Sequence, residues 1–193
     1  LAEVLITLAI IGVVSAMTLP TVLGNHQARV QKERTRTAKY KLTQATDKMK
    51  ALGLLQVSYP TTEAFVNELQ KHLKIAKVCK SNNIRACWPS DTINVPTNSG
   101  TINKVNVSTL TNGTAIKALG LGTASTSTVG IVTADGIPMI MTYSPMCTPL
   151  EPLTSYRWSM EDNKPVTNAT TNCISAIMDI NGAKGPNRIG KDI

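Results

Sequence analysis

The run Leu1–Gly24, LAEVLITLAIIGVVSAMTLPTVLG, carries one charge, Glu3, at its very start. No other feature limits the fold as tightly. As a helix the run would rise about 36 Å, enough to cross a hydrocarbon core roughly 30 Å thick. A secretory signal core is shorter and preceded by positive charge, whereas here the positive charge follows. A carboxylate in such a segment costs roughly 2.5–3.5 kcal/mol at the bilayer centre and less near the interface. Glu3 is therefore expected to be functional and to have a partner. The plainer alternative seats it at the headgroup boundary. Pro20 removes a helix hydrogen bond and crowds the preceding turn. With Gly12, Ser15 and Thr18 it makes the second half of the run a weaker helix than the first. Neighbouring protein can satisfy the freed backbone inside a bilayer. A simple kinked anchor is the competing reading.

These residues resemble the amino-terminal methylation and assembly segment of type IV pilins and of the pseudopilins of type II secretion. The resemblance is close over Leu1–Asn25 and looser towards Leu55. It rests on Glu3 near the start, Gly12 mid-run and Pro20 late in an otherwise unbroken apolar stretch. In that family a short basic leader ends in Gly. The mature chain then opens on an N-methylated Phe, followed by Thr-Leu-x-Glu and an apolar helix. The sequence opens at Leu1 and so matches this pattern from the residues that follow the Phe-Thr pair. The resemblance implies that Glu3 pairs with the terminal amine of a neighbouring subunit during filament assembly. It implies an inner-membrane location before assembly and an extracellular filament on the bacterial surface afterwards. The implied partners are copies of the same chain, the prepilin peptidase and the pilus assembly machinery.

The chain has 193 residues, room for one anchor and one globular domain of about 140 residues. Aromatics make up only 4%, so the core is expected to be aliphatic. Net charge is +8, and it is concentrated. Between His26 and Lys50 lie Arg29, Lys32, Arg34, Arg36, Lys39, Lys41, Lys48 and Lys50 against Glu33 and Asp47, giving +6. Three partners fit such a stretch: water on a solvated helix face, anionic lipid headgroups, or DNA. DNA has the least support, because Tyr40 is the only ring there for base stacking. The positive-inside rule alone would place this stretch in the cytoplasm. The family places the domain outside, and the cysteines agree with it.

The basic stretch reads as the same helix continued. Ala38, Leu42, Ala45, Met49 and Leu52 step by four and three, one apolar stripe opposite the charges. Gly53 and the Pro60 turn end it. A second helix is expected from Thr61, its N-cap, to Lys74, with Phe65, Val66, Leu69 and Leu73 facing inward. His72 reads as a surface residue. Residues 81–127 are rich in Asn, Gly, Pro, Ser and Thr and read as loops, with one edge strand at Ile102–Val107. Val129–Thr133 and Ile137–Tyr143 flank the hairpin signal Ala134-Asp135-Gly136. Tyr156–Met160 and Cys173–Ile180 are two further strand candidates. The expected class is α+β, a long amino-terminal helix on a carboxy-terminal antiparallel sheet. The expected divisions are 1–24, apolar segment; 25–55, amphipathic continuation; and 56–193, head domain.

Cys79, Cys87, Cys147 and Cys173 form an even set that reads as disulfides, with three connectivities open. The pairing favoured is Cys79–Cys87, closing a small loop, with Cys147–Cys173 clamping the strand region. The second bond would resemble the carboxy-terminal disulfide loop of many type IV pilins. The segment Asp179–Asp192, DINGAKGPNRIGKD, is dense in oxygen-bearing side chains and turn formers. It has two readings. One is a calcium loop with Asp179, Asn181 and Asp192 as ligands, a feature that resembles the major pseudopilins. The other is a turn held by Asx hydrogen bonds. Lys184 and Arg188 oppose a cation, and no Glu stands at the twelfth position.

No Ser/Cys–His–Asp pattern, phosphate-cradling Gly loop or apolar carboxylate pair points to an enzyme. The leading expectation is a structural subunit of a type IV pilus or related filament. A minor pilin or type II secretion pseudopilin is the alternative within that class. A monomeric, membrane-tethered domain binding a ligand such as DNA or calcium is the alternative outside it. Such a tether has no need of Glu3 or of a weakened helix.

Overall fold

The structure is a computed structural model. It describes residues 2–96, 101–112, 115–116, 127–144, 174–182, 184–185, 187–189 and 193, with only the backbone described at 19–25 and 28. The chain divides into two compact units, Leu1–Thr37 and Ala38–Ile193. The class is α+β, an amino-terminal helix and a carboxy-terminal antiparallel sheet.

Helix α1, Ala2–Ala51, supplies the described residues of the first unit and the start of the second. Its backbone stays helical across Gly12 and Pro20. Two hydroxyls in the apolar part are satisfied locally. Thr7 donates to the Val4 carbonyl at 2.9 Å and Thr18 to that of Val14 at 3.0 Å. Back-bonding of this kind lets a hydroxyl sit among apolar side chains without an orphaned donor.

In the second unit, Ala38, Leu42, Ala45 and Met49 are buried, as their spacing predicts. Leu52, the expected next member of the stripe, is 64% exposed. The helix has already stopped. Gly53 adopts φ +73°, its N–H bonds the Lys50 carbonyl, and the Leu54 N–H bonds that of Met49. That is the Schellman arrangement, which needs a left-handed residue after the helix. It turns Leu55, not Leu52, into the core, where Leu55 is buried.

Helix α2, Thr62–Leu69, is capped by Thr61, whose hydroxyl accepts from the Ala64 N–H at 3.1 Å. It ends earlier than the Lys74 expected. Leu73 remains buried, but the Lys74 carbonyl already accepts from the Ala134 N–H, so the sheet claims the chain there. Strand β1, Ile75–Cys79, follows directly. Its mixed pattern, with Lys77 in the middle, hid it from the sequence reading. A 3-10 helix occupies Ser81–Cys87.

Strands β2, Thr92–Pro96, and β3, Ile102–Asn106, form a two-stranded antiparallel ribbon. β3 was expected and β2 was not, because Pro89 and Pro96 punctuate the segment. Pro96 sits at the strand's end, where a missing N–H is tolerated. Strands β4, Thr128–Thr133, β5, Pro138–Tyr143, and β6, Ile174–Met178, complete the main sheet. Its order is β1-β4-β5-β6, antiparallel throughout. The hairpin turns at Ala134-Asp135-Gly136 as its residues signal, with Gly136 at φ +77°. The expected strand at Tyr156–Met160 lies outside the described residues, and β1 supplies the fourth strand.

Both faces of the sheet are covered, which explains why β5 is buried along its whole length. Val129, Ile131, Met139, Met141 and Tyr143 belong to one core with Ala38, Leu42, Met49, Phe65 and Leu69. Ile140 and Ile177 belong to a second core with Ile84, Trp88, Ile93, Val107, Leu110 and Ile189. Alternation along the strands sends successive residues to opposite cores. The cores are not purely aliphatic. Three rings pack in the first of them: Phe65 stacks on Tyr143 at 5.0 Å, and Tyr59 meets both edge-on. Burial first, then the charge of Glu68, raises the Tyr59 phenol. It stays protonated and donates to the Leu54 carbonyl at 3.0 Å.

Candidate assembly surface and the carboxy-terminal turn

Glu3 lies exposed in the first turn of α1, where a helix favours negative charge. Around and beyond it the first unit presents Val4, Leu5, Ile6, Leu8, Ile10, Ile11, Val13, Val14 and Met17, from 54% exposed at Val14 to 73% at Met17. These side chains occupy every side of the helix. Gly12 sits among them with nothing within 4 Å of the place a Cβ would take. Pro20 lies within the helical backbone. Among the described residues no helix is long and apolar enough to cross a membrane. Side chains are described without a break from Ala2 to Thr18, about 24 Å of rise, while the backbone continues helical through 19–25.

The basic stretch is helical throughout. Arg29, Lys32, Arg34 and Arg36 are exposed, and Arg36 pairs with Glu33 at 3.2 Å. Further along, Lys41 pairs with Asp135 in the hairpin turn, fastening α1 to the sheet within the second unit. His26 is exposed. His72, expected on the surface, is not fully there: its side chain is 15% exposed and its Nε2 lies 3.8 Å from Glu68. The step of four from Glu68 to His72 would put both on one face of the helix expected to run to Lys74, a signal available in the sequence; in the structure the turn after α2 keeps them near each other.

The Cys79–Cys87 disulfide forms, with its Cα atoms 5.9 Å apart. Gly130 passes beneath it. A Cβ there would stand 3.0 Å from the Cys87 Cβ and 3.4 Å from that of Cys79. Any larger residue at the crossing of strand and disulfide loop would push against the cysteine side chains, which glycine avoids. Cys147 and Cys173 lie outside the described residues.

Asp179 is fully buried and its Oδ1 accepts from two backbone donors, Asn181 N–H at 3.1 Å and Gly182 N–H at 2.8 Å. The Asn181 amide donates to the carbonyls of Lys184 and Gly185 at 2.9 and 3.2 Å. Gly182 takes φ +71°. This is the Asx-turn geometry. It engages an oxygen of Asp179 that the calcium reading would use as a ligand. Asp192 lies outside the described residues, and among the described residues no three His, Cys, Asp or Glu cluster as metal ligands. What sequence reasoning missed is the next step of the chain. Asn187 and Ile189 bond both backbone groups of Asn94, laying the tail beside β2 with Ile189 in the second core. Thermal unfolding is expected to give the same midpoint in calcium and in chelator. An upward shift with calcium, lost in Asp179→Ala, would instead establish a metal loop.

No family model, no curated protein and no solved structure matches this chain.

Proposed function

We propose that this chain is a structural subunit of a type IV pilus or a related extracellular filament, assembling through α1. The observation that carries the proposal is the apolar surface of the first unit. Nine large apolar side chains stand more than half exposed between Val4 and Met17, a stretch next to which Glu3 is the single carboxylate. Fully burying one such side chain contributes about 1.5–3 kcal/mol. Burying the exposed part of all nine is worth on the order of 10 kcal/mol, comparable to the roughly 5–15 kcal/mol that holds a whole domain together. A monomer in water is therefore not the working state; lipid or other copies of the helix must cover it. Among parallel helices Glu3 needs a cation, and the terminal amine of a neighbour would supply one at the matching depth.

Electron microscopy of sheared cells or purified protein tests this. Regular filaments are expected, and a monodisperse monomer in detergent-free buffer would overturn the proposal. A second expectation follows within the filament. Gly12, Ser15, Thr18 and Pro20 weaken the helix, so part of residues 12–20 should depart from helical geometry once neighbours satisfy the backbone. Unbroken helical density through Pro20 in a filament map would refute that.

A further inference from the structure

We propose that Arg29, Lys32, Arg34 and Arg36 form a docking collar for anionic lipid headgroups, holding the unassembled subunit to the leaflet from which α1 emerges. The proposal rests on the reading of α1 as an anchor that later assembles.

Three observations within the first unit carry it. The first is position. Arg29 lies about 8 Å of helical rise beyond Gly24, and Arg36 about 10 Å beyond Arg29. A headgroup layer is roughly 5–8 Å deep on each side of the hydrocarbon. Helical side chains lean towards the amino terminus, here the apolar end, so the long stems of Arg and Lys reach back towards that layer. The second is distribution. Arg29, Lys32 and Arg36 fall within roughly 60° of one another around the axis, while Arg34 points about 150° away. Headgroups surround an emerging helix and can engage both sides, whereas a nucleic-acid duplex meets one face and leaves Arg34 unused. The third is availability. All four side chains are exposed, and only Glu33 offsets them locally, through its pair with Arg36.

The test uses the full chain in vesicles of phosphatidylcholine, with or without phosphatidylglycerol, carrying trace spin-labelled forms of each lipid. The expected result is that spin-labelled phosphatidylglycerol is immobilised by the protein in preference to phosphatidylcholine, on the order of three- to tenfold. The preference should fall towards unity in about 1 M salt, where the Debye length is roughly 3 Å. It should fall likewise in a variant with all four residues changed to Gln, a good helix former that keeps α1 intact. Insertion without a lipid preference, or a preference that survives the fourfold change, would overturn the collar and leave the filament reading standing. Loss of duplex DNA binding in the variant with its lipid preference unchanged would reassign the cluster to nucleic acid. Failure of the chain to insert into either vesicle would overturn the collar and the anchor reading together.

Discussion

Glu3→Ala is expected to abolish filament assembly while leaving the head folded. Glu3 stands in the first turn of α1, the only charge in the apolar run that opens this helix, and the side chains around it are exposed. In a bundle of such helices its carboxylate is desolvated unless a cation meets it. Removing one partner of a buried pair costs roughly 3–5 kcal/mol and leaves the other charge stranded. At about 3 kcal/mol per subunit, each addition step weakens on the order of a hundredfold. The head should be untouched, since its cores begin at Ala38. Electron microscopy of sheared cells reads assembly, and circular dichroism of the purified chain reads the fold. Wild-type filament numbers from the variant would remove the pairing role from Glu3.

Phe65→Ala should give the largest loss of head stability. Phe65 is buried between α2 and the sheet, stacked on Tyr143 and edge-on to Tyr59. Truncating a buried Phe costs roughly 3–5 kcal/mol, part of it the cavity left behind. In a unit of this size each kcal/mol lowers the melting midpoint by about 2–4 °C. A drop of about 10 °C is therefore expected in a thermal melt. Tyr40→Ala is the control, because Tyr40 is 65% exposed and its loss should be nearly silent. Equal melting of the two variants would show that the ring trio is not central to the core.

What could be read in advance followed from strong local signals. The four-three stepping of Ala38, Leu42, Ala45 and Met49 marked the buried face of α1. Thr61 marked the start of α2, and Ala134-Asp135-Gly136 marked the hairpin. What escaped depended on tertiary partners. β1 carries two adjacent exposed positions, Ala76 and Lys77, and it is a strand because β4 pairs with it, not because its residues alternate. β2 alternates well, but its flanking prolines read as loop; pairing with β3 and with the tail overrides them. Leu52 fell off its stripe by one turn, because the position of Gly53 decided where the helix stopped. For the candidate surface the outcome was similar. Glu3, Gly12 and Pro20 were visible as an odd charge and two breakers in an apolar run. The buried Asp179 could be named but its use could not, since only the fold shows which backbone donors it meets.

The burial of Ala38–Met49 decides where the polypeptide can be cut. A boundary drawn after Leu55, just past the end of α1, would strip Ala38, Leu42, Ala45, Met49 and Leu55 from the larger core. The product would bring an open apolar trough into solution and precipitate. A cut between Arg29 and Arg36 falls in exposed helix and takes nothing from either core. A protease acting on the intact chain should therefore release a soluble fragment that still carries a stub of α1, with its new end set by the core's grip on the helix.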